Sequence, residues 1–339
     1  MSGYTPGEQP QVGKLIKLNT NENPYPASAK VMQAIRAITE TALARYPDPH
    51  STAFRHVAGG ILSVEPDWIL CGNGSDDLLT MLTRTFVGEG ETLRMPNPSY
   101  TLYRTLAEIQ GASVEMIRFN DDWSLPESFG SADGDPCLAF LPNPNSPSGT
   151  VVPMDRVAEI AERLPCPLVV DEAYGDFSDS NCVPLVSANP KVIVTRSLSK
   201  SYSLAGLRFG FAVAQPEVIE QLVKVKDSYN CDAISIAAAT AALADQGWLA
   251  DNRRKILSSR ERFSAELSQL GFNVQPSQAN FVWCTHPEHS HESIYLQLKS
   301  AGILIRYMSY DGWGDGIRIT IGTDNQLDAC LSELRSILQ

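Results

Sequence analysis

Four short apolar runs mark the middle of the chain: WILC at residues 68–71, LAFL at 138–141, LVV at 168–170 and VIV at 192–194. Each is too short for a helix and is apolar at consecutive positions, the composition of a strand buried on both faces. Between the second and third runs, Met154–Arg163 repeats its apolar residues at helical spacing. Strands alternating with helices predict an α/β fold, with a mainly parallel sheet covered by helices. Further on, residues 233–244 are predominantly apolar between Asp232 and Asp245. They predict a buried helix, falling well short of the ~18 residues needed to span a bilayer. Residues 252–270 predict a long helix, and FVW at 281–283, ILI at 303–305 and IRITI at 317–321 predict strands. The chain thus divides into an N-terminal arm (1–25), irregular through its prolines from Tyr4 to Pro10, a large domain (26–243) and a smaller α+β C-terminal domain (244–339).

Each of the four central strands runs into an unusual polar segment: GNGSDD at 72–77, PNPNSPSG at 142–149, DEAYGDF at 171–177 and TRSLSKSYSLAGLRFG at 195–210. In open α/β sheets ligands bind outside the carboxyl ends of the strands, so the four segments should share one site. The first precedes a helical pattern through Leu78, Leu79, Leu82 and Phe86, whose leading N–H groups suit a phosphate; a glycine turn with an Asp cap is the plain alternative. There is neither G-K-[ST] for a nucleoside triphosphate nor G-x-G-x-x-G for a dinucleotide. Asp171, at the end of an apolar strand, is costly to bury without a charged partner. Lys200, just past another buried strand, is placed where a desolvated amine becomes a nucleophile.

Composition narrows the partners. Acidic residues outnumber basic ones by 39 to 27, for a net charge of -12, and no basic cluster provides a nucleic-acid footprint. Neither nucleic acid nor a membrane is expected, and without a secretory pattern at the start the expected compartment is the cytoplasm. The seven cysteines are scattered without a C-x-x-C pair, which favours reduced, packed thiols over disulfides or a zinc site. His286, His289 and His291 crowd together, but in a polar stretch that reads as a solvated loop rather than a metal site.

A strand-end Asp, a lysine in S-L-S-K and an Arg eight residues later in L-A-G-L-R are together what a pyridoxal 5'-phosphate site requires. Lysine forms the Schiff base, the carboxylate keeps the pyridine nitrogen protonated, and Ser, Arg and helix N–H groups neutralise the phosphate. Tyr174, one helical turn from Asp171, suits the ring hydroxyl. With these motifs the chain resembles the histidinol-phosphate aminotransferases, within the fold type I pyridoxal-phosphate enzymes. The resemblance runs from Y-T-P-G-E-Q through L-N-T-N-E-N-P-Y, R-Y-P-D, G-N-G-S-D, D-E-A-Y and S-L-S-K to G-I-R-I-T-I-G.

The resemblance implies that Lys200 is the Schiff-base lysine and proton carrier, that Asp171 pairs with the pyridinium and Tyr174 with the ring oxygen, and that Tyr100 stacks on the ring. Phosphate binding falls to Ser75, Asp76, Ser197, Ser199 and Arg208, with Tyr46 reaching across from a second subunit of a homodimer. Arg318 grips a carboxylate with its planar fork. Arg306 takes the substrate phosphate, Asn21 borders the substrate and Tyr4 covers it. One position departs from the family: the Asn that contacts the ring oxygen is here Ser146, so either Ser146 or Asn145 makes that contact. The implied reaction is a ping-pong transfer between histidinol phosphate or imidazole-acetol phosphate and glutamate or 2-oxoglutarate. The alternatives are an aminotransferase for aromatic amino acids or prephenate, a decarboxylase of a phosphorylated amino acid, and a catalytically idle sensor.

Overall fold

The computed structural model describes Glu8 and residues 15–339, so Tyr4 and most of the expected arm lie outside the described residues. A two-residue strand, β1 (Ile16–Lys17), opens the described chain. Seven strands then build one sheet: β2 (Ile69–Gly72), β3 (Thr92–Asn97), β4 (Ser113–Arg118), β5 (Leu138–Pro142), β6 (Leu168–Glu172), β7 (Val192–Ser197) and β8 (Gly210–Val213). Their order is β2-β8-β7-β6-β5-β3-β4. Only β8 runs against its neighbours, so the sheet is mainly parallel as the pattern predicts.

The consecutive apolar runs follow from burial on both faces. Along β5, Leu138 and Phe140 join one hydrophobic cluster while Ala139 and Leu141 join the other, and β6 and β7 split in the same way. One cluster is closed by Leu78, Leu79 and Leu82 of helix Ser75–Phe86 and by Tyr103 and Leu106 of helix Leu102–Ile109. The other is closed by Val157 and Ile160 of helix Met154–Arg163 and by Ala238, Ala239 and Ala242 of helix Ala233–Leu243. A polar side chain between such layers is costly unless it is paired.

A third cluster is built mainly from residues beyond 245. Strands β9 (Asn273–Val274), β10 (Phe281–Thr285), β12 (Arg306–Tyr310) and β13 (Gly314–Thr320) form an antiparallel sheet, while β11 (Ile303–Leu304) pairs in parallel with β1. Ile256, Phe263 and Leu267 of helix Gln246–Gln269 pack on this sheet with Leu327 and Leu331 of helix Asp324–Ile337. Leu18 belongs to the same cluster, so the segment after β1 is bound into it.

Several expectations need correction. The 303–305 run ends at Leu304, and Arg306, which follows it, opens a separate strand, β12, because the chain changes sheet at Ile305. Tyr174 is not one helical turn from Asp171, since β6 continues to Glu172 and a turn follows. Strand β3 carries Arg94, 1% exposed, which broke the apolar pattern; it pairs with Glu115 of β4 at 2.8 Å and donates to the carbonyls of Phe129, Ser131 and Asp133. The histidine stretch is only partly solvated: His286 is buried against Phe272, and its N–H donates to Nε2 of His291, whose Nδ1 faces Asp315 at 2.9 Å. All seven cysteines are free. Among the described residues no helix is long and apolar enough to cross a membrane.

Candidate active site

Strands β2, β5, β6 and β7 point the same way, and the polar segments at their ends line one cavity of about 370 Å³. Residues 19–22 and the arginines of β12 and β13 close it. Asn21, Ser75, Asp76, Tyr100, Ser146, Asp171, Tyr174, Ser197, Ser199, Lys200, Arg208, Arg306 and Arg318 all face it. Asn145 does not: it is buried beside the cavity, donating to Ser148 Oγ at 2.9 Å and to the carbonyl of Pro98. Tyr46 lies outside it, 81% exposed and stacked on Tyr229 with ring centroids 4.4 Å apart.

Lys200 is half-buried, and its Nζ donates to the carbonyl of Thr20 at 3.0 Å. Burial, then repulsion from Arg318, brings its pKa down to about 8. The neutral, nucleophilic form of the amine is therefore far more populated near neutral pH than in an ordinary lysine. Asp171 is 5% exposed at the end of β6, with no cation bonded to it among the described residues. Its Oδ2 accepts from the Tyr103 hydroxyl at 2.7 Å, and its Oδ1 from the Ala173 N–H at 3.1 Å and Thr195 Oγ1 at 3.3 Å. Burial pushes its pKa up, against the pull of these donors. Burial likewise raises that of Tyr174, whose hydroxyl accepts from Asn21 Nδ2 at 2.8 Å.

The end of β2 forms an anion cradle. Gly74 adopts φ +90°, where a Cβ would fall 2.7 Å from Arg208 Nη2, and helix Ser75–Phe86 starts without a side-chain cap. Its first N–H groups are thus available to an anion. Asp77 supports the turn by accepting the Asn73 N–H at 2.8 Å and leaves the leading N–H groups of the helix uncapped. Arg208 has a left-handed backbone at φ +57°, an outlier of the kind that clusters at ligand sites. Its guanidinium reaches Ser199 Oγ at 3.4 Å and Asp76 Oδ2 at 3.5 Å.

On the opposite wall, Arg306 and Arg318 sit directly across from each other on β12 and β13. Like charges in this cross-strand relation repel, and an anion between them relieves the repulsion. Arg318 donates to Ser146 Oγ at 2.8 Å and to the Asn19 carbonyl at 3.1 Å. Asn19 Oδ1, Thr20 Oγ1, Ser99 Oγ and Arg318 Nε border the cavity buried and without a partner among the described residues. A polar ligand in the cavity would give these atoms partners.

Behind the cavity, Arg196 pairs with Glu172 and Asp176, each at 2.8 Å, and Asp176 also accepts from Ser201. These residues are neighbours in sequence of Asp171, Tyr174, Ser197 and Lys200, so one buried ion network braces four cavity residues. The sequence reading missed this network and missed Tyr103. The spacing of Tyr100 and Tyr103, three apart across the turn that opens helix Leu102–Ile109, was the signal available.

A family model described as aminotransferase class I and II matches residues 13–334. The chain belongs to this family. The aminotransferase chain is 58% identical to a histidinol-phosphate aminotransferase of Rhodopirellula baltica, over all of this chain and 94% of that protein. A histidinol-phosphate aminotransferase of Geobacter sulfurreducens is 46% identical over 99% and 97%. The fold is similar to the crystal structure of histidinol-phosphate aminotransferase from Sinorhizobium meliloti in complex with pyridoxal-5'-phosphate, with a TM-score of 0.87 and 28% identity over 95% and 91%. The chain is thus a transaminase of fold type I, as its motifs imply.

Proposed function

We propose that this aminotransferase uses pyridoxal 5'-phosphate to exchange an amino group between L-histidinol phosphate and imidazole-acetol phosphate on one side and glutamate and 2-oxoglutarate on the other, in histidine biosynthesis. One observation carries the reading: a lysine of lowered pKa, a buried carboxylate lacking a cation and a facing pair of arginines share one cavity, in a chain 58% identical to a histidinol-phosphate aminotransferase. The residues fit the cofactor, since Asp171 offers a pyridinium its missing counter-ion and the cradle before Ser75 matches a phosphate.

When bound, the cofactor supplies the electron sink that lets a proton leave the carbon next to the transferred nitrogen. Lys200 would hold it through Nζ, and the free amine in its neutral form would take and return that proton. Asp171 would pair with the ring nitrogen, Tyr174 would hydrogen-bond the ring oxygen and Tyr100 would pack on the ring. Ser75, Ser197, Ser199 and Arg208 hold the phosphate, with Asp76 orienting Arg208. Ser146 rather than Asn145 takes the second place at the ring oxygen: it borders the cavity, and its hydroxyl, accepting from Arg318, keeps a hydrogen to donate. Arg306 and Arg318 bind the substrate phosphate or the glutamate carboxylate beside Asn21. Tyr46 serves the phosphate site of a second subunit, so the working unit is a homodimer, and its place is the cytoplasm.

The test is a panel of amino acceptors and donors on the purified protein, repeated with Arg306→Ala. Losing a charge-assisted hydrogen bond should lower kcat/KM for histidinol phosphate by about 10- to 150-fold, with a much smaller loss for an unphosphorylated aromatic amino acid. Equal losses on both, or a wild type preferring phenylalanine or tyrosine, would transfer the assignment to an aromatic aminotransferase.

A further inference from the structure

We propose that Tyr103 is a positioning residue for Asp171, its hydroxyl holding one carboxylate oxygen so that the aspartate stays ionised and the proton of the cofactor's ring nitrogen stays on the ring. This rests on the reading that the cavity binds pyridoxal phosphate. Tyr103 is completely buried, and its ring is fixed from two sides. It stacks on Phe140 of β5 at 4.7 Å and 21°, and meets Tyr100 edge-on at 5.5 Å and 88°. Its hydroxyl therefore has little freedom, and it makes the shortest of the three hydrogen bonds to Asp171, at 2.7 Å against 3.1 and 3.3 Å.

The direction of the effect follows from the donors. Burial favours the neutral acid, and Asp76 on the neighbouring helix adds a like charge, whereas the Tyr103 hydroxyl favours the carboxylate. Tyr174, Lys200, Arg208 and Arg318 stand on the other walls of the same cavity, and Tyr100 packs against Tyr103. Tyr103 cannot compete for the charge, because its own phenol is held far on the neutral side by burial and by Asp171. Removing its hydroxyl makes the carboxylate more basic, so that it draws the ring proton toward itself. Donors on both oxygens of a buried carboxylate thus set where a shared proton rests.

The experiment uses protein loaded with pyridoxal phosphate labelled with ¹⁵N in the ring, comparing wild type with Tyr103→Phe, which keeps both ring contacts. The ¹⁵N shift reads ring-nitrogen protonation, and an absorbance titration reads the Lys200-linked chromophore. Wild type should show a protonated ring nitrogen. Tyr103→Phe should move the signal toward the unprotonated value and lower kcat with little change in KM. In cofactor-free protein it should move the titration of Asp171, isolated by comparison with Asp171→Asn, upward by about one to two pH units. Placing 3-fluorotyrosine at position 103, with its more acidic hydroxyl, should move both signals the opposite way, and it serves as the test if Tyr103→Phe fails to fold. Protein that takes no cofactor on Lys200 would sink the proposed function itself. Protein that takes it normally, with ¹⁵N shift and titrations unchanged in both variants, would sink only the role of Tyr103.

Discussion

Replacing Lys200 with Met in the cofactor-free protein tests the electrostatics of the cavity without any catalysis. The side chain's ordinary pKa of 10.5 falls to about 8 in the folded chain, chiefly through burial and then through Arg318. Each unit is worth ~1.4 kcal/mol, so the full shift corresponds to about 3 kcal/mol. Lys200 is half-buried, and water screens part of this, which leaves about 1–3 kcal/mol. Because the folded value lies below the unfolded one, the unfolded chain holds a proton between pH 8 and 10.5 that the native protein has released. Wild-type stability should therefore rise with pH across that window and show no contribution from Lys200 to the slope below it. Urea unfolding of wild type and Lys200→Met, at one protein concentration from pH 6.5 to 10, measures the difference between them; titrations common to both cancel. That difference should be flat to about pH 7.5 and then shift in favour of wild type toward 1–3 kcal/mol. A difference that stays flat to pH 10, or shifts the other way, would refute the desolvated-amine account of Lys200.

Arg196→Met should cost about 3–5 kcal/mol in denaturant unfolding, since it strands Glu172 and Asp176 without their buried cation. A loss below 1 kcal/mol would show that the network is already neutral. Gly316→Ala places a Cβ 2.4 Å from Cζ2 of Trp283, so it should destabilise by about 1–3 kcal/mol and alter the fluorescence of the Trp123, Trp283 and Trp313 cluster. Unchanged emission and stability would mean that the cluster has room to spare.

Much of the large sheet was legible because its central strands are buried on both faces and so appear as unbroken apolar runs. Strand β3 was hidden because Arg94 lies within it, held by Glu115 and three carbonyls. Strand β4, at the sheet edge, alternates too weakly, with Met116 48% exposed. The chemistry was more visible than these strands, since Asp171, Lys200 and Arg208 each stand in a polar segment that interrupts an apolar pattern.

The sequence by itself determined which residue types meet the cofactor's needs, because covalent attachment, charge pairing and phosphate binding each demand a particular side chain at the end of a strand. Only the tertiary structure decided which of two adjacent residues faces the cavity. Ser146 borders it and bonds to Arg318, which lies 172 positions away, while Asn145 turns to Ser148 and Pro98. It also decided that Arg306 and Arg318 stand opposite each other, since that depends on the register between β12 and β13. Tyr103 depends on it most: an interior aromatic on an amphipathic helix has the pattern of a packing residue. Its hydroxyl gains a role because the order β6-β5-β3 and the crossing of helix Leu102–Ile109 bring it to Asp171, 68 positions along the chain. Local patterns record what a residue can do; contacts between distant segments depend on how the sheet closes, which no local pattern encodes.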